Sequence, residues 1–285
     1  MKVIPFKIPQ TTRLAFRVQE DKHLHFYDSL HQHPEIQITL VLKSEGVLIA
    51  GDYLGNFEAG DVFVLGSNLP HVFRNDDSYF QENNDLHAEA ITLFFDATYL
   101  GEAFWNLTEM LPVRTFVHQA THGFRLVGQA QLQAAALLQR LVTQEYLDKL
   151  LCFFELLKVL SETTEVEQLA LSSQSTNLNE LEGKRMNEIF QFTFRESHRT
   201  ISIVEVAQVA NLSPEAFCRY FKLRTRKTYI NFLNEVRISN ACKLLLHQDL
   251  PVSDVCYQVG FQNLSNFNRV FKKVVGKTPR EFAER

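Results

Sequence analysis

Twelve residues beginning at Phe217, FCRYFKLRTRKT, return as FNRVFKKVVGKT beginning at Phe267. Phe217, Arg219, Phe221, Lys222, Lys227 and Thr228 each have an identical counterpart 50 positions further on. Self-similarity at a fixed offset marks one structural unit built twice. The stretches just upstream, ISIVEVAQVANLSPEAF and PVSDVCYQVGFQNLSNF, predict what that unit is. Each offers a short amphipathic helix, a tight turn and a second helix. Ala207 and Cys256 stand four residues before Asn211 and Gly260. The turn brings two helices close together, so the first needs a small side chain there. The turn residue needs a left-handed backbone, which Gly and Asn tolerate best. Ser213 with Pro214, and Asn263, are suitable N-caps for the second helices. The pattern is a helix-turn-helix, written twice.

Residue types divide by face along each second helix. Phe217 and Phe221 are four apart, as are Phe267 and Phe271, and with Tyr220 and Val270 they are expected to be core. The opposite face carries Pro214, Glu215, Cys218, Arg219 and Lys222 in the first copy, and Leu264, Ser265, Asn266, Asn268, Arg269 and Lys272 in the second. Arg pairs bidentately with guanine, Asn pairs with adenine, and an apolar tip such as Leu264 can meet a thymine methyl. Lys222, Lys227, Lys272, Lys273 and Lys277 suit phosphates. Between the copies, TYINFLNEVRISNACKLLLHQ has no Gly or Pro and carries apolar residues at helical spacing. A helix there would be about 28 Å long, close to the ~34 Å of one DNA turn. It would hold both second helices on one face of a duplex, in successive major grooves.

Charge agrees with this division. Residues 1–182 hold 12 Lys and Arg against 24 Asp and Glu, whereas residues 183–285 hold 17 against 9. The net charge of −4 therefore hides an acidic front and a basic tail of +8. A compact basic region favours a polyanionic partner.

The tandem helix-turn-helix, the spacer VRISNACKLL, the Gly260-Phe261 pair and the run FNRVFKKVVGKTPREF resemble the AraC/XylS family of bacterial transcription regulators. The resemblance covers residues 184–285. Cys256 stands where that family usually has Ala, and Tyr229 where it has Pro. It implies binding to double-stranded promoter or operator DNA, a homodimer, and an effector domain in front that senses a small molecule, often a sugar or a derivative.

The front carries its own signal. IQITLVLK, GVLIAG, GDVFVLG and AEAITLFF are short, β-rich runs separated by Gly, Asn and Asp, which predicts a sandwich or small barrel. HQHPEIQITLVLKSEG and GDVFVLGSNLPHVFRN resemble the two motifs of a cupin barrel. His31, His33, Glu35 and Gln37 fall at alternate positions and so on one face of an extended segment. Cupin enzymes hold a divalent metal with two His, a Glu and a further His. Here Gln37 occupies the usual carboxylate position, so a polar effector pocket of His31, His33, Gln37 and His71 is expected, with no metal and no cofactor.

From about residue 100 the period becomes helical. Leu132, Ala135, Ala136, Leu138 and Leu141 form one stripe, and Leu147, Leu150, Leu151, Phe154, Leu157 and Leu160 another. Their helices would cover the barrel or form a dimer seam. The polar, Ser-rich stretch TTEVEQLALSSQSTNLNELEG reads as a linker.

No stretch of 18 apolar residues occurs, and MKVIPFKIPQ does not read as a signal peptide, so neither a membrane partner nor export is expected. The four cysteines form no CxxC pair and read as reduced, small and buried, as in a cytoplasmic protein. The fold expected is α+β multidomain: a cupin-like β-barrel with covering helices over 1–163, a linker over 164–183, and an all-α tandem helix-turn-helix over 184–285. The function expected is a ligand-responsive, sequence-specific DNA-binding transcription regulator and not an enzyme. A metal-dependent cupin enzyme fused to a DNA-binding tail is the alternative, and a constitutive DNA-binding protein with a scaffolding barrel a third reading.

Overall fold

The computed structural model describes residues 15–81, 85–96, 101–170, 180–247 and 250–284. The chain separates into two compact units that meet between Glu180 and Leu181. Residues 1–14, and 171–179 of the stretch read as linker, lie outside the described residues.

The first unit contains β1 Phe16–His23, β2 Ile36–Lys43, β3 Gly46–Ala50, β4 Tyr53–Phe57, β5 Val62–Leu65, β6 His71–Asn75 and β7 Ala88–Phe95. Short helix α1 Glu102–Trp105, α2 Leu111–Gln119, β8 Phe124–Leu126, α3 Gly128–Thr143, α4 Tyr146–Glu162 and β9 Val166–Gln168 follow. Strands β1-β7-β2-β5-β8-β9 make one sheet and β4-β3-β6 another, and the described ladders do not close into one barrel. The strand β2 is buried along its first six residues, and the polar Gln37 and Thr39 alternate there with the apolar Ile36, Ile38 and Leu40. One of its faces, Ile36, Ile38 and Leu40, packs with Ile91, Leu93 and Phe95 of β7 against α3 and α4. The other face turns to the second sheet, where Val41, Phe63, Leu65 and Ala90 meet Leu48, Phe57 and Phe73.

Strand β1 did not announce itself, because its sequence FRVQEDKH is charged and lies half-exposed at the sheet edge. Strand β9 lies inside the stretch read as linker. Its residues pair with β8, and the following Leu169 and Ala170 are buried. The helical stripes also differ from expectation. On α3 the buried residues are Ala130, Ala134, Leu138 and Leu141, while Leu132 is 65% exposed. On α4 they are Cys152, Phe153, Leu156, Leu157 and Leu160, while Leu147 and Leu151 are exposed. Both helices are apolar around more than one face, and Phe153 decides the rotation of α4 by stacking on Phe16 at 4.2 Å.

The second unit is all-helical: α5 Glu180–Glu196, α6 Ile203–Val209, α7 Pro214–Thr225, α8 Tyr229–His247, α9 Val252–Gln258, α10 Leu264–Val275 and α11 Pro279–Ala283. Helix α8 has the 19 residues expected and is its spine. Phe232 packs on Phe190 and Phe221 at ring distances of 5.0 and 5.4 Å, in the first half of the unit. From Ile238 to Leu245 the same helix joins Phe261, Phe267, Phe271 and Phe282 in a second apolar cluster. A helix flanked on both sides is buried around most of its circumference, which explains why α8 shows no single apolar stripe.

Candidate nucleic-acid interface and effector cavity

Each helix-turn-helix is closed by the same three devices. At the turn, Asn211 and Gly260 have φ of 53° and 95°. Leu212 N–H donates to the Ala207 carbonyl at 2.9 Å, and Phe261 N–H to the Cys256 carbonyl at 3.1 Å. Ala207 and Cys256 are themselves buried. A Cβ on Gly260 would stand 2.4 Å from the Ser197 carbonyl oxygen, so this turn admits no side chain. At the start of the second helices, Ser213 Oγ accepts from Ala216 N–H at 3.3 Å and Asn263 Oδ1 from Asn266 N–H at 3.0 Å. At their ends, Arg226 and Gly276 are left-handed, and their N–H groups reach the Lys222 and Lys272 carbonyls, both at 2.9 Å.

Phe217, Phe221, Phe267, Val270 and Phe271 are buried, as their spacing required, and Tyr220 is half-buried. The opposite faces are open. Leu264, Ser265, Asn266, Asn268, Arg269, Lys272, Lys273 and Lys277 are exposed on and after α10. Glu215, Cys218, Arg219 and Lys222 are exposed on α7, and Pro214 is half-buried at its first turn. Cys218 is therefore an exception to the reading of the cysteines as buried; Cys152, Cys242 and Cys256 are buried. Arg269 Nη2 donates to Asn266 Oδ1 at 2.7 Å, which holds the guanidinium over the first turn of α10. Lys227 is engaged, its Nζ 2.6 Å from Glu235 Oε2. Arg237 is buried on α8. It donates to the Ser197 and Arg199 carbonyls at 2.8 and 2.6 Å and lies over the Phe261 ring. It thus ties the loop before α6 to the turn of the second copy. Sequence reading noted Arg237 only as part of the spacer, and its role depends on distant carbonyls that no local pattern announces.

In the first unit His31, His33, Gln37 and His71 come together. His31 and His71 form a two-residue antiparallel bridge, with N–H to carbonyl distances of 3.0 and 2.8 Å. Gln37 Oε1 lies 3.0 Å from His33 Nε2 and 3.1 Å from His71 Nε2. The Gln37 amide nitrogen donates to Thr39 Oγ1 at 2.9 Å, and Thr39 Oγ1 is 3.3 Å from Thr92 Oγ1. Burial lowers the pKa of all three histidines: His31 to about 4, His71 well below its ordinary value and His33 also downward. They are neutral at physiological pH. Glu35 stays outside the cluster, with Oε2 3.5 Å from His33 Nδ1.

Beside the cluster lies a cavity of about 610 Å³, within the range of small-molecule sites. His31, Gln37, Thr39 and Thr92 give it polar groups, and Phe26 and Phe94 apolar walls. Sequence reading missed Thr39 and Thr92. Thr39 follows Gln37 at the next same-face position and could have been found by alternation; Thr92 lies opposite Thr39 across the β2–β7 register, which only the pairing reveals.

A family model described as a helix-turn-helix domain matches residues 206–285. Over 94% of its length the chain is 22% identical to the HTH-type transcriptional regulator YdeC of Bacillus subtilis (strain 168), 90% of which is covered. It is 24% identical over 89% of its length to the HTH-type transcriptional activator RhaS of Enterobacter sp. (strain 638), 87% of which is covered. Over a shorter span, 30% of each chain, it is 36% identical to the arabinose operon regulatory protein of Salmonella typhimurium.

Proposed function

We propose that the chain is a ligand-responsive, sequence-specific DNA-binding transcription regulator of the AraC family, and that its residues divide the work as follows. Helices α7 and α10 enter successive major grooves of operator DNA. In α10, Arg269, Asn268 and Leu264 read base edges, with Ser265 and Asn266 at the first turn, and Lys272, Lys273 and Lys277 hold phosphates. In α7, Pro214, Glu215, Cys218, Arg219 and Lys222 face the DNA. Glu215 repels nearby phosphate, so this copy binds less tightly. Lys227 reaches phosphate only by leaving Glu235.

The observation that carries this reading is the repetition itself. Two helices with matched caps present open polar faces, backed by buried phenylalanines, on either half of one spine helix. The competing reading, a metal-dependent enzyme with a DNA-binding tail, is not favoured by the relatives, which are named as regulators.

The first unit is the sensor, a cupin-like pair of sheets whose last strand is β9 and not a part of the linker, and the unit from Leu181 onward is the DNA reader. Its cavity takes a small polar effector, and a sugar or a derivative fits the mix of hydroxyl, amide and aromatic groups there. The exposed Leu132, Leu147 and Leu151 on α3 and α4 form the homodimer seam. Among the described residues no helix is long and apolar enough to cross a membrane, and a cytoplasmic location suits a DNA-bound regulator.

The test is a selection of duplex sequences from randomised DNA by the full chain, followed by screening of sugars against the selected site. Thr92→Val keeps the side-chain shape and removes one cavity hydroxyl. It is expected to leave DNA affinity intact and to weaken the effector response. An unchanged response would remove Thr92 from the effector site.

A further inference from the structure

A hollow of about 200 Å³ opens in the second unit where the two helix-turn-helix copies meet. It is lined by Thr200 ahead of α6, by Asn234 and Arg237 of α8, and by Gln262 and Asn266 at the turn and first turn of α10. Leu233 and Phe261 add buried apolar surface. No carboxylate lines it. Arg237 is buried there, bonded to the Ser197 and Arg199 carbonyls, and among the described residues no carboxylate pairs with it. Other arginines of this unit are matched: Arg199 by Glu196 and Glu205, Arg224 by Glu182. Burial draws the pKa of Arg237 downward, as befits a cation with no acidic neighbour, yet a guanidinium keeps its proton at neutral pH. The hollow therefore has a fixed positive charge in its wall and no counter-charge. Its other polar groups are open. Asn234 is half-buried and Gln262 exposed, and their side-chain amides make no hydrogen bond among the described residues.

Hydroxyl and amide donors around an unmatched cation suit an anion that only accepts hydrogen bonds. The space is smaller than the roughly 300–1,000 Å³ of small-molecule sites, which favours a group presented by a larger molecule. The position of the hollow says which. Two helices in successive major grooves on one face of a duplex leave a minor groove and its flanking phosphates between them. That stretch of backbone faces the joint of the two copies. We propose that Thr200, Asn234 and Gln262, with the charge of Arg237 behind them, seat one backbone phosphate of the operator between the two grooves. The proposal rests on the regulator reading above and deepens it. The seated phosphate lies beside the bases read by α10, because Gln262 and Asn266 belong to the start of that helix. Leu233 and Phe261 meet the adjoining deoxyribose. Such a phosphate touches both copies at once, so DNA binding fixes their spacing.

The experiment uses the full chain and an operator duplex that it has selected from random sequence. Each backbone linkage from one block of base preference to the next is replaced in turn by an uncharged methylphosphonate, and affinity is measured. Wild type is expected to lose about tenfold at one linkage beside the α10 block, the effect of one lost hydrogen bond to a charged group. Asn234→Ala and Gln262→Ala bind the unmodified duplex more weakly, keep its base preference, and no longer respond to that linkage. Gln262→Glu sets a carboxylate against the phosphate and reverses the response: it binds the methylphosphonate duplex better than the unmodified one. Gln262 is exposed, so its variants keep the fold. The proposal is overturned if no linkage between the blocks matters, or if Gln262→Ala stays as sensitive as wild type. Uptake of inorganic phosphate by the DNA-free chain, abolished in Gln262→Glu while every linkage is neutral, would assign the hollow to a free ion and overturn it as well. Base preference without a sensitive linkage leaves the regulator reading standing, whereas failure to select any duplex removes both.

Discussion

Arg269 and Lys272 lie three residues apart on α10, both exposed, yet their chemistry differs. The guanidinium is a planar fork steadied by Asn266, and the ammonium is a point charge one turn later. Arg269→Ala is expected to cost about 1–3 kcal/mol and relax preference at one base pair. Lys272→Ala should weaken all sequences about equally and reduce the salt slope by about 1. Affinities of both variants over single-base operator changes at two salt concentrations distinguish them; full base preference in Arg269→Ala would make Arg269 a phosphate contact. Glycines make a second residue-scale test. At Gly276, φ is 83° with nothing near a Cβ, so Gly276→Ala should cost about 1–2 kcal/mol from backbone strain alone. At Gly260 the Ser197 carbonyl adds a clash, so Gly260→Ala should cost clearly more in a denaturant titration. Both left-handed turn residues, Asn211 and Gly260, were legible, because residue type and offset are local. Arg226 as a left-handed cap was not, since nothing in an arginine announces a positive φ.

Helix α8 shows why elements matter beyond their residues. It packs on the first helix-turn-helix with one half and the second with the other, and Arg237 fastens the join. Arg237→Met keeps the stem and removes both bonds to the Ser197 and Arg199 carbonyls. Hydrogen bonds to a charged group contribute about 1.5–3 kcal/mol, so a loss of about 3 kcal/mol is expected in urea unfolding of the second unit. Unchanged stability would show that the two copies are held together by apolar packing alone. Caps are the smaller lever. Ser213→Ala and Asn263→Ala should each cost about 1 kcal/mol, because each removes the acceptor of an orphan N–H at the start of its helix. The length of α8 and both caps could be read from sequence. The rotation of α3 and α4 could not, because each offers apolar residues on competing faces and Phe153 against Phe16 makes the choice across the chain.

Across the whole molecule, charge and architecture divide in the same place. An excess of 12 acidic groups lies in residues 1–182 and an excess of 8 basic groups in residues 183–285, the part that forms the tandem helices. A strand-built first unit with helices was foreseen in class, but the barrel expected is two separate ladders among the described residues, and strands β1 and β9 were not foreseen, since edge strands bury too little to leave a pattern. Likewise His31, His33, Gln37 and His71 were picked out by the resemblance to the two cupin motifs, whereas their mutual contacts depend on a bridge between segments 40 residues apart. The basic excess predicts that affinity for any duplex falls steeply with salt, through release of counterions. On the proposed reading, sequence specificity comes from α7 and α10 together. The most direct measurement is therefore the base-preference profile of operators selected from random duplexes by the full chain. Two blocks of preference about one helical turn apart are expected, the stronger one disturbed by Arg269→Ala and the weaker by Arg219→Ala. A single block, or affinity without base preference, would contradict the account of two recognition helices in successive grooves.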